Sequence, residues 1–116
     1  METKAKILSA KIHNLRFWVS EYEPKDLQAQ FQDFLEQVGF VILNFTDYHF
    51  PVQGYTAFWL LAESHLAIHT FPDKGWSYIE LSSCNKKKSE DFQSLVIASD
   101  MSVKWNGDGV EICEPE

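Results

Sequence analysis

Residues 55–84, YTAFWLLAESHLAIHTFPDKGWSYIELSSC, contain three strand-like segments separated by short turn signals. Tyr55 to Ala62 is a continuous apolar run, which is compatible with a strand buried on both faces. Ser64 to Phe71 alternates between two faces with the period of a strand. Pro72 to Gly75 is a turn signal, and Trp76 to Cys84 resumes strand character. The stretch therefore predicts neighbouring strands of one sheet.

The segments before this stretch predict a strand, a helix and a further strand. Ile7 to Val19 mixes apolar and β-branched residues with polar ones, which is typical of a strand with one wet face. Pro24 is acceptable at a first helical position, and the apolar residues after it recur at the spacing of an amphipathic helix that ends at Gly39. Phe40 to Phe45 is a compact apolar run that predicts a strand beside Tyr55 to Ala62.

The segments after it predict a second helix and a closing hairpin. Ser89 is a suitable helix cap. The short helix that follows has an inward face of three apolar residues, Phe92, Leu95 and Val96. Met101 to Trp105 and Val110 to Cys113 flank Asn106-Gly107-Asp108-Gly109, a strong hairpin signal. Residues 1–116 are thus expected to form one α+β domain, a two-layer sandwich with two helices on one face of a mainly antiparallel sheet.

The composition is that of one acidic domain with a packed core. The 116 residues carry 10 Lys+Arg against 17 Asp+Glu, a formal net charge of −7, and 45% are hydrophobic. This length fits a single domain, and the apolar share excludes disorder for most of it. Arg16 is the only arginine and Lys86 to Lys88 the only basic run, so we do not expect nucleic-acid binding.

The number of cysteines and the hydropathy of the sequence indicate where in the cell the protein is expected. Cys84 and Cys113 are too few for a secreted disulfide framework, so a reducing cytoplasm is expected. The N-terminal residues have no long apolar region after their lysines, and no stretch approaches about 18 apolar residues. Neither export nor membrane spanning is therefore expected.

Single residues give only weak indications of chemistry. His65 and His69 are four residues apart, but on a strand that spacing is roughly 13 Å, too far for one zinc ion, and no metal site is expected. A Ser-His-acid hydrolase is disfavoured because the chain lacks a GxSxG elbow. Cys84 is either a thiolate nucleophile or, more commonly for a single internal cysteine, a small buried apolar residue.

The whole segment 63–84, ESHLAIHTFPDKGWSYIELSSC, resembles the bacterial S-adenosylmethionine decarboxylase proenzymes. In that family a Glu-Ser-His-Leu-x-Ile-His-Thr segment is followed by an aromatic residue, a proline, an acidic residue and a glycine. A cysteine then follows twenty residues after the serine, as Cys84 follows Ser64 here. All of these spacings are met, and the resemblance is strong over about residues 39–84.

The resemblance implies that the chain makes its own cofactor. Ser64 would attack the carbonyl of Glu63 to convert the peptide bond to an ester. β-Elimination would then cut the chain and leave a dehydroalanine, which hydrolyses to an N-terminal pyruvoyl group. His69 would be the processing base, although an ideal strand places Ser64 and His69 on opposite faces, so this role needs a bend in the strand. Thr56 stands where the family usually has a serine that assists processing.

The resemblance also implies decarboxylation of S-adenosylmethionine for spermidine biosynthesis. The pyruvoyl carbonyl would form a Schiff base with the substrate amine, and Cys84 would donate a proton to the α-carbon. Phe50 and Phe71 match positions that sandwich the adenine ring. Asp73 and Glu80 match acidic positions that would meet ribose hydroxyls or the substrate cation. The family forms a dimer, so a homodimer is expected.

Departures from the family pattern keep two alternatives open. Lys11 to Leu15 replaces a Gly-x-His-Leu signature, and Ser83-Cys84-Asn85 replaces Thr-Cys-Gly. One alternative is a pyruvoyl decarboxylase of the same ancestry that acts on arginine or ornithine. The other is a paralogue that does not cleave and serves as a ligand-binding or regulatory subunit.

Overall fold

A six-stranded antiparallel sheet with two helices against one face makes up residues 11–105, the part of the chain that the computed structural model describes. In chain order the elements are β1 (His13–Val19), α1 (Pro24–Val38), β2 (Ile42–His49), β3 (Tyr55–Leu61), β4 (Ser64–Phe71), β5 (Trp76–Ser83), α2 (Lys86–Ala98) and β6 (Val103–Trp105). The strands lie in the order β2-β3-β4-β5-β1-β6, so β1 is inserted between β5 and β6. The predicted α+β fold class is confirmed.

The first helix has the boundaries that the sequence predicts. α1 begins at Pro24, and Gly39 follows its last residue with φ 95°, a left-handed conformation that suits glycine. The Gly39 N–H donates to the carbonyl oxygens of Leu35 and Glu36, which satisfies the end of the helix.

The second helix starts earlier than predicted, and the proposed cap is wrong. Asn85 is the N-cap, and its side-chain oxygen accepts the N–H of Lys88 at 2.9 Å. Asparagine is a strong N-cap, so the helix includes Lys86 to Lys88, which a cap at Ser89 leaves outside it. Ser89 lies inside α2, buried, with its hydroxyl donating to the Asn85 carbonyl.

The apolar run of β3 is compatible with burial on both faces, but within this chain only one of its faces is buried. Tyr55, Ala57, Trp59 and Leu61 face the helices and are buried, whereas the alternate residues are partly or fully exposed, with Leu60 43% exposed. The physical reason is that both helices pack on the same face of the sheet. The other face, here called the open face, carries side chains from the three central strands: Thr56, Phe58, Leu60, His65, Ala67, His69, Phe71, Trp76, Tyr78, Glu80 and Ser82.

Two sequence predictions fall at the ends of the chain. The start of the first predicted strand, residues 7–10, lies outside the described residues. The same holds for the hairpin turn at residues 106–109 and its second strand at residues 110–113. The first strand of that hairpin is β6, which pairs with β1.

The core lies between the helices and the sheet, with aromatic rings at its centre. Phe31 of α1 packs against Phe17 of β1 and Phe92 of α2, with ring centroids 6.5 and 6.0 Å apart. All three rings are fully buried. Burial of each such side chain contributes roughly 1.5–3 kcal/mol. The core therefore fixes the sheet whose ends and open face carry the predicted site residues.

Neither helix within residues 11–105 is long and apolar enough to cross a membrane.

Candidate functional site

The peptide bond predicted to be cut lies in a tight turn under strain. Ala62 and Glu63 connect β3 to β4, and Leu61 pairs with Ser64 across the turn. Glu63 has φ 62° and is the only non-glycine residue with positive φ among residues 11–105. A non-glycine residue in this conformation costs about 1–3 kcal/mol. The strain therefore lies in the residue that immediately precedes the Glu63–Ser64 bond.

Cys84 lies beside the carbonyl group of that bond. Ser64 pairs with Ser83, the last residue of β5, so Cys84, which follows it, lies beside the turn. Cys84 Sγ lies 3.6 Å from Oε1 of the Glu63 carboxylate and 3.8 Å from the Glu63 carbonyl oxygen, and its single proton can be donated to either oxygen. The thiol thus faces the oxygen on which negative charge would develop if the bond were attacked.

The hydroxyl of Ser64 is held by a second serine. Ser64 Oγ donates to Ser83 Oγ at 2.9 Å, and Ser83 Oγ accepts the backbone N–H of Asn85 at 3.0 Å. Ser83 is 1% exposed, and it lines a cleft of about 480 Å³ together with Glu63, Ser64 and His65. We call Glu63, Ser64, Ser83 and Cys84 the cleavage-end group.

A second set of predicted site residues meets at the opposite end of β4. Thr56 Oγ1 lies 3.0 Å from Nδ1 of His69, which joins the two residues predicted to assist processing. Both line a cleft of about 460 Å³ with Phe50, Phe71 and Asp73, three of the four residues predicted to bind substrate. We call this the aromatic cleft.

Ser64 and His69 are not brought together within one chain. The β4–β5 register runs without interruption from Ser64 opposite Ser83 to Phe71 opposite Trp76, so the bend that the base role needs is not present in β4. Five residues of strand separate Ser64 from His69 by about 17 Å, and their side chains leave opposite faces. The role of His69 as processing base stays a prediction.

Glu80, the fourth residue predicted to bind substrate, lies near the middle of the open face and is already paired. Its carboxylate accepts the Tyr78 hydroxyl at 3.3 Å and lies 3.9 Å from Nε of Arg16. Burial, together with the negative charge of Glu80, raises the pKa of Tyr78 above its ordinary value. Glu80 therefore belongs to a charged network that lies outside the aromatic cleft.

Aromatic side chains surround the aromatic cleft, and several of them were missed by the sequence analysis. The ring of Phe71 packs on Trp18 with centroids 5.5 Å apart, and the ring of Phe50 packs edge-on against Tyr48 at 4.9 Å. The ring of Tyr78 lies nearly parallel to the imidazole of His69, at 14° and 6.5 Å. Strand alternation was the available signal, since Tyr78 has the parity of Glu80 and faces His69 across β4 and β5.

No group of three or more His, Cys, Asp and Glu side chains within residues 11–105 is placed to hold a metal ion.

Comparisons with known proteins agree on one family. A family model described as S-adenosylmethionine decarboxylase matches residues 21–102. The S-adenosylmethionine decarboxylase proenzyme of Prochlorococcus marinus (strain MIT 9313) is 41% identical over 49 residues, which are 42% of this chain and 39% of that protein. The proenzyme of Syntrophomonas wolfei is 28% identical over 87 residues, 75% of this chain and 68% of that protein. The chain spans about two fifths of the length of the curated relatives that it matches at 39–41% identity.

A solved structure shares the fold. The crystal structure of the adenosylmethionine decarboxylase from Aquifex aeolicus VF5 matches 90% of this chain and 95% of its own, with a TM-score of 0.63 and 18% sequence identity.

Proposed function

The chain belongs to the S-adenosylmethionine decarboxylase family, and from this premise we propose that it is a pyruvoyl-dependent S-adenosylmethionine decarboxylase. It is made by self-cleavage between Glu63 and Ser64 and supplies decarboxylated S-adenosylmethionine for spermidine biosynthesis. The observation that carries the proposal is the Glu63–Ser64 peptide, where a strained residue with φ 62° lies between a nucleophilic hydroxyl and a thiol donor. The proenzyme names of the relatives are consistent with self-processing.

The cleavage-end group fits the formation of a pyruvoyl group from Ser64. Attack of Ser64 Oγ on the Glu63 carbonyl carbon converts the peptide bond to an ester. The Cys84 thiol lies 3.8 Å from that oxygen and can stabilise the developing oxyanion by donating its proton to it. Cleavage also frees Glu63 from its left-handed conformation, which releases about 1–3 kcal/mol of strain.

The residues around the two clefts have separate roles in decarboxylation. The pyruvoyl carbonyl supplies the electrophile and electron sink for loss of carbon dioxide. Cys84 is the proton donor at the same end of the sheet, where its thiol lies beside Glu63. Phe50 and Phe71 offer ring faces to an adenine, and the Asp73 carboxylate is available for ribose hydroxyls or the sulfonium charge.

The separation of these groups supports a homodimer, which we include in the proposal. The cleavage-end group and the aromatic cleft lie at opposite ends of β4, so a single chain does not offer both to one substrate. A two-fold axis that crosses the open face between the ends of β4 places the cleavage end of each chain opposite the aromatic cleft of the other. Leu60 and Phe71, each more than 40% exposed, lie toward opposite ends of that face. In the same arrangement the imidazole of His69 in a second copy would approach the backbone of Ser64 from the open face, since the Ser64 side chain lies on the helix-covered face.

Cysteine usage supports a cytoplasmic location for this enzyme, because the chain carries only Cys84 and Cys113.

Intact mass under denaturing, reducing conditions tests the proposal. Freshly purified protein is expected to give two fragments that break between Glu63 and Ser64, the C-terminal fragment lacking a free amine. Ser64→Ala is expected to stay whole and inactive. Cys84→Ala is expected still to cleave, but more slowly because a donor to the oxyanion is lost, and to lose turnover. A wild-type chain that stays whole after prolonged incubation refutes the proposal and favours the regulatory paralogue.

Substrate choice needs a separate assay on the cleaved protein. S-adenosylmethionine, arginine and ornithine are each offered, and release of carbon dioxide and the amine product are measured. The proposal expects product from S-adenosylmethionine alone, because stacking rings line the aromatic cleft. Product from arginine or ornithine instead identifies the other pyruvoyl decarboxylase.

A further inference from the structure

Ser83 is the side chain that touches the reacting oxygen of Ser64 inside the protein. The two hydroxyl oxygens are 2.9 Å apart, and Ser83 is 1% exposed. The Ser83 oxygen also accepts the backbone N–H of Asn85, the N-cap residue of α2, at 3.0 Å. The side-chain oxygen of Asn85 accepts the Lys88 N–H in turn, which fixes this end of the helix. The position of Ser83 is thus set by the fold, independently of Ser64.

The chemistry of the cleavage decides what this contact does. In the first step the bond from Ser64 Oγ to the Glu63 carbonyl carbon forms, the peptide C–N bond breaks, and the hydroxyl proton ends on the Ser64 nitrogen. In the second step an imidazole base takes the Ser64 α-proton and the Cβ–Oγ bond breaks. The electron pair of that bond stays on Oγ, which leaves as an oxygen of the new Glu63 carboxylate.

The hydrogen bond between the two serines must therefore reverse during the reaction. In the uncut chain Ser64 donates to Ser83. Once Oγ is acylated it carries no proton, so Ser83 is the partner that can donate. The Asn85 N–H already occupies one lone pair of the Ser83 oxygen, which polarises the Ser83 hydroxyl as a donor.

We propose that Ser83 is a catalytic residue of self-cleavage, whose hydroxyl donates to Ser64 Oγ as that oxygen leaves in the elimination step. This inference rests on the proposed self-cleavage at Glu63–Ser64 and assigns to Ser83 a step that the sequence analysis left without a residue. The Ser83 hydroxyl is expected to promote the elimination step only. A donor to Oγ stabilises the leaving carboxylate, but it does not assist the first attack of Oγ on the Glu63 carbonyl carbon.

The test is Ser83→Ala, followed by intact mass with and without neutral hydroxylamine. We expect pyruvoyl formation to slow by about tenfold to a hundredfold, the range for a lost hydrogen bond to a charged acceptor. The unreacted chains are expected to accumulate as the ester. Hydroxylamine then cuts them between residues 63 and 64, giving a Glu63 hydroxamate and a fragment that begins with an intact Ser64.

Three variants separate this role from a structural one. Ser83→Thr keeps the hydroxyl and is expected to cleave within about threefold of wild type, whereas Ser83→Cys keeps the size with a weaker donor and is expected to be intermediate. Ser77→Ala is the matched control, because Ser77 is buried on the same face of β5 and donates to the Glu21 carbonyl at 2.7 Å. It is expected to cleave at the wild-type rate.

Two results overturn the proposal, and they are distinguishable. If wild type cleaves and Ser83→Ala cleaves equally fast without a hydroxylamine-sensitive ester, Ser83 has no part in elimination and the proposed function stands. If wild type itself stays whole, the proposed function fails and this inference fails with it. Should Ser83→Ala not fold, equal rates for Ser83→Cys and Ser83→Thr also overturn the proposal.

Discussion

Replacing Glu63 by glycine tests whether backbone strain promotes the cleavage. Glu63 has φ 62°, and the left-handed conformation costs an L-residue about 1–2 kcal/mol. Glycine does not bear this cost, but it loses about 0.5–1 kcal/mol more backbone entropy than alanine on folding. Relative to Glu63→Ala, which keeps the strain and also lacks the carboxylate, Glu63→Gly is therefore expected to stabilise the uncut fold by about 0.5–1 kcal/mol.

The same substitution is expected to slow self-cleavage. Strain of about 1–2 kcal/mol that is released before the transition state lowers the barrier by that amount, which is about five- to thirtyfold in rate. Glu63→Gly is thus expected to cleave that much more slowly than Glu63→Ala. Comparing these two variants removes the effect of the Glu63 carboxylate on Cys84, which both lack.

Two assays are needed, because cleavage interferes with equilibrium unfolding. The free energy of unfolding is measured by urea denaturation in a Ser64→Ala background, where no nucleophile is present. The cleavage rate is measured by intact mass in chains that keep Ser64. Equal stabilities and equal rates for the glycine and alanine variants would refute a contribution of strain at this turn.

Three further predictions concern substrate binding, pH and assembly. Phe71→Ala is expected to raise the KM for S-adenosylmethionine about tenfold in a decarboxylation assay, since one stacking ring is lost from the aromatic cleft; an unchanged KM would place the adenine elsewhere. Burial and the hydrogen bond to Asp47 raise the pKa of Tyr55, so its share of stability is present below pH 10 and is lost as the pH rises further. Tyr55→Phe is expected to flatten the alkaline decline in unfolding free energy, and an unchanged slope would contradict this. Leu60→Glu places a charge on the open face and is expected to give a monomer in analytical ultracentrifugation, with Ile97→Glu on the exposed side of α2, across the sheet from that face, as the control that stays dimeric.

Periodicity and turn residues were sufficient to predict most of the fold. The apolar spacing after Pro24 gave the boundaries of α1, and the alternation of Ser64 to Phe71 gave β4. The start of α2 was missed because three consecutive lysines resemble a loop, and only the Asn85 side chain indicated a helix there. The exposure of one face of β3 was not predicted, because an apolar run does not reveal how many faces of a strand are covered.

The roles of the site residues stay predictions, and the sequence did not indicate how those residues are grouped in the fold. Each predicted residue lies on the sheet or in an adjoining turn, yet Thr56 and His69 form one pair and Ser64 and Cys84 belong to another group. A motif in the sequence indicates which residues take part, but it does not show which of them meet at the same end of a strand. The contact between Ser83 and Ser64 could not be predicted from the sequence either, since it depends on the register that places the two residues opposite each other.

The insertion of β1 between β5 and β6 determines how the two fragments would be held together after the proposed cleavage. The N-terminal piece contributes β1, α1, β2 and β3, and the C-terminal piece contributes β4, β5, α2 and β6. Because β1 is hydrogen-bonded on both sides to strands of the other piece, the two pieces interlock and separate only if the sheet itself opens. Folding of the uncut chain is a unimolecular process, whereas refolding of the cut protein requires two molecules to meet and depends on concentration. Maturation would thus be a one-way event, after which the longevity of the enzyme is governed by its rate of unfolding.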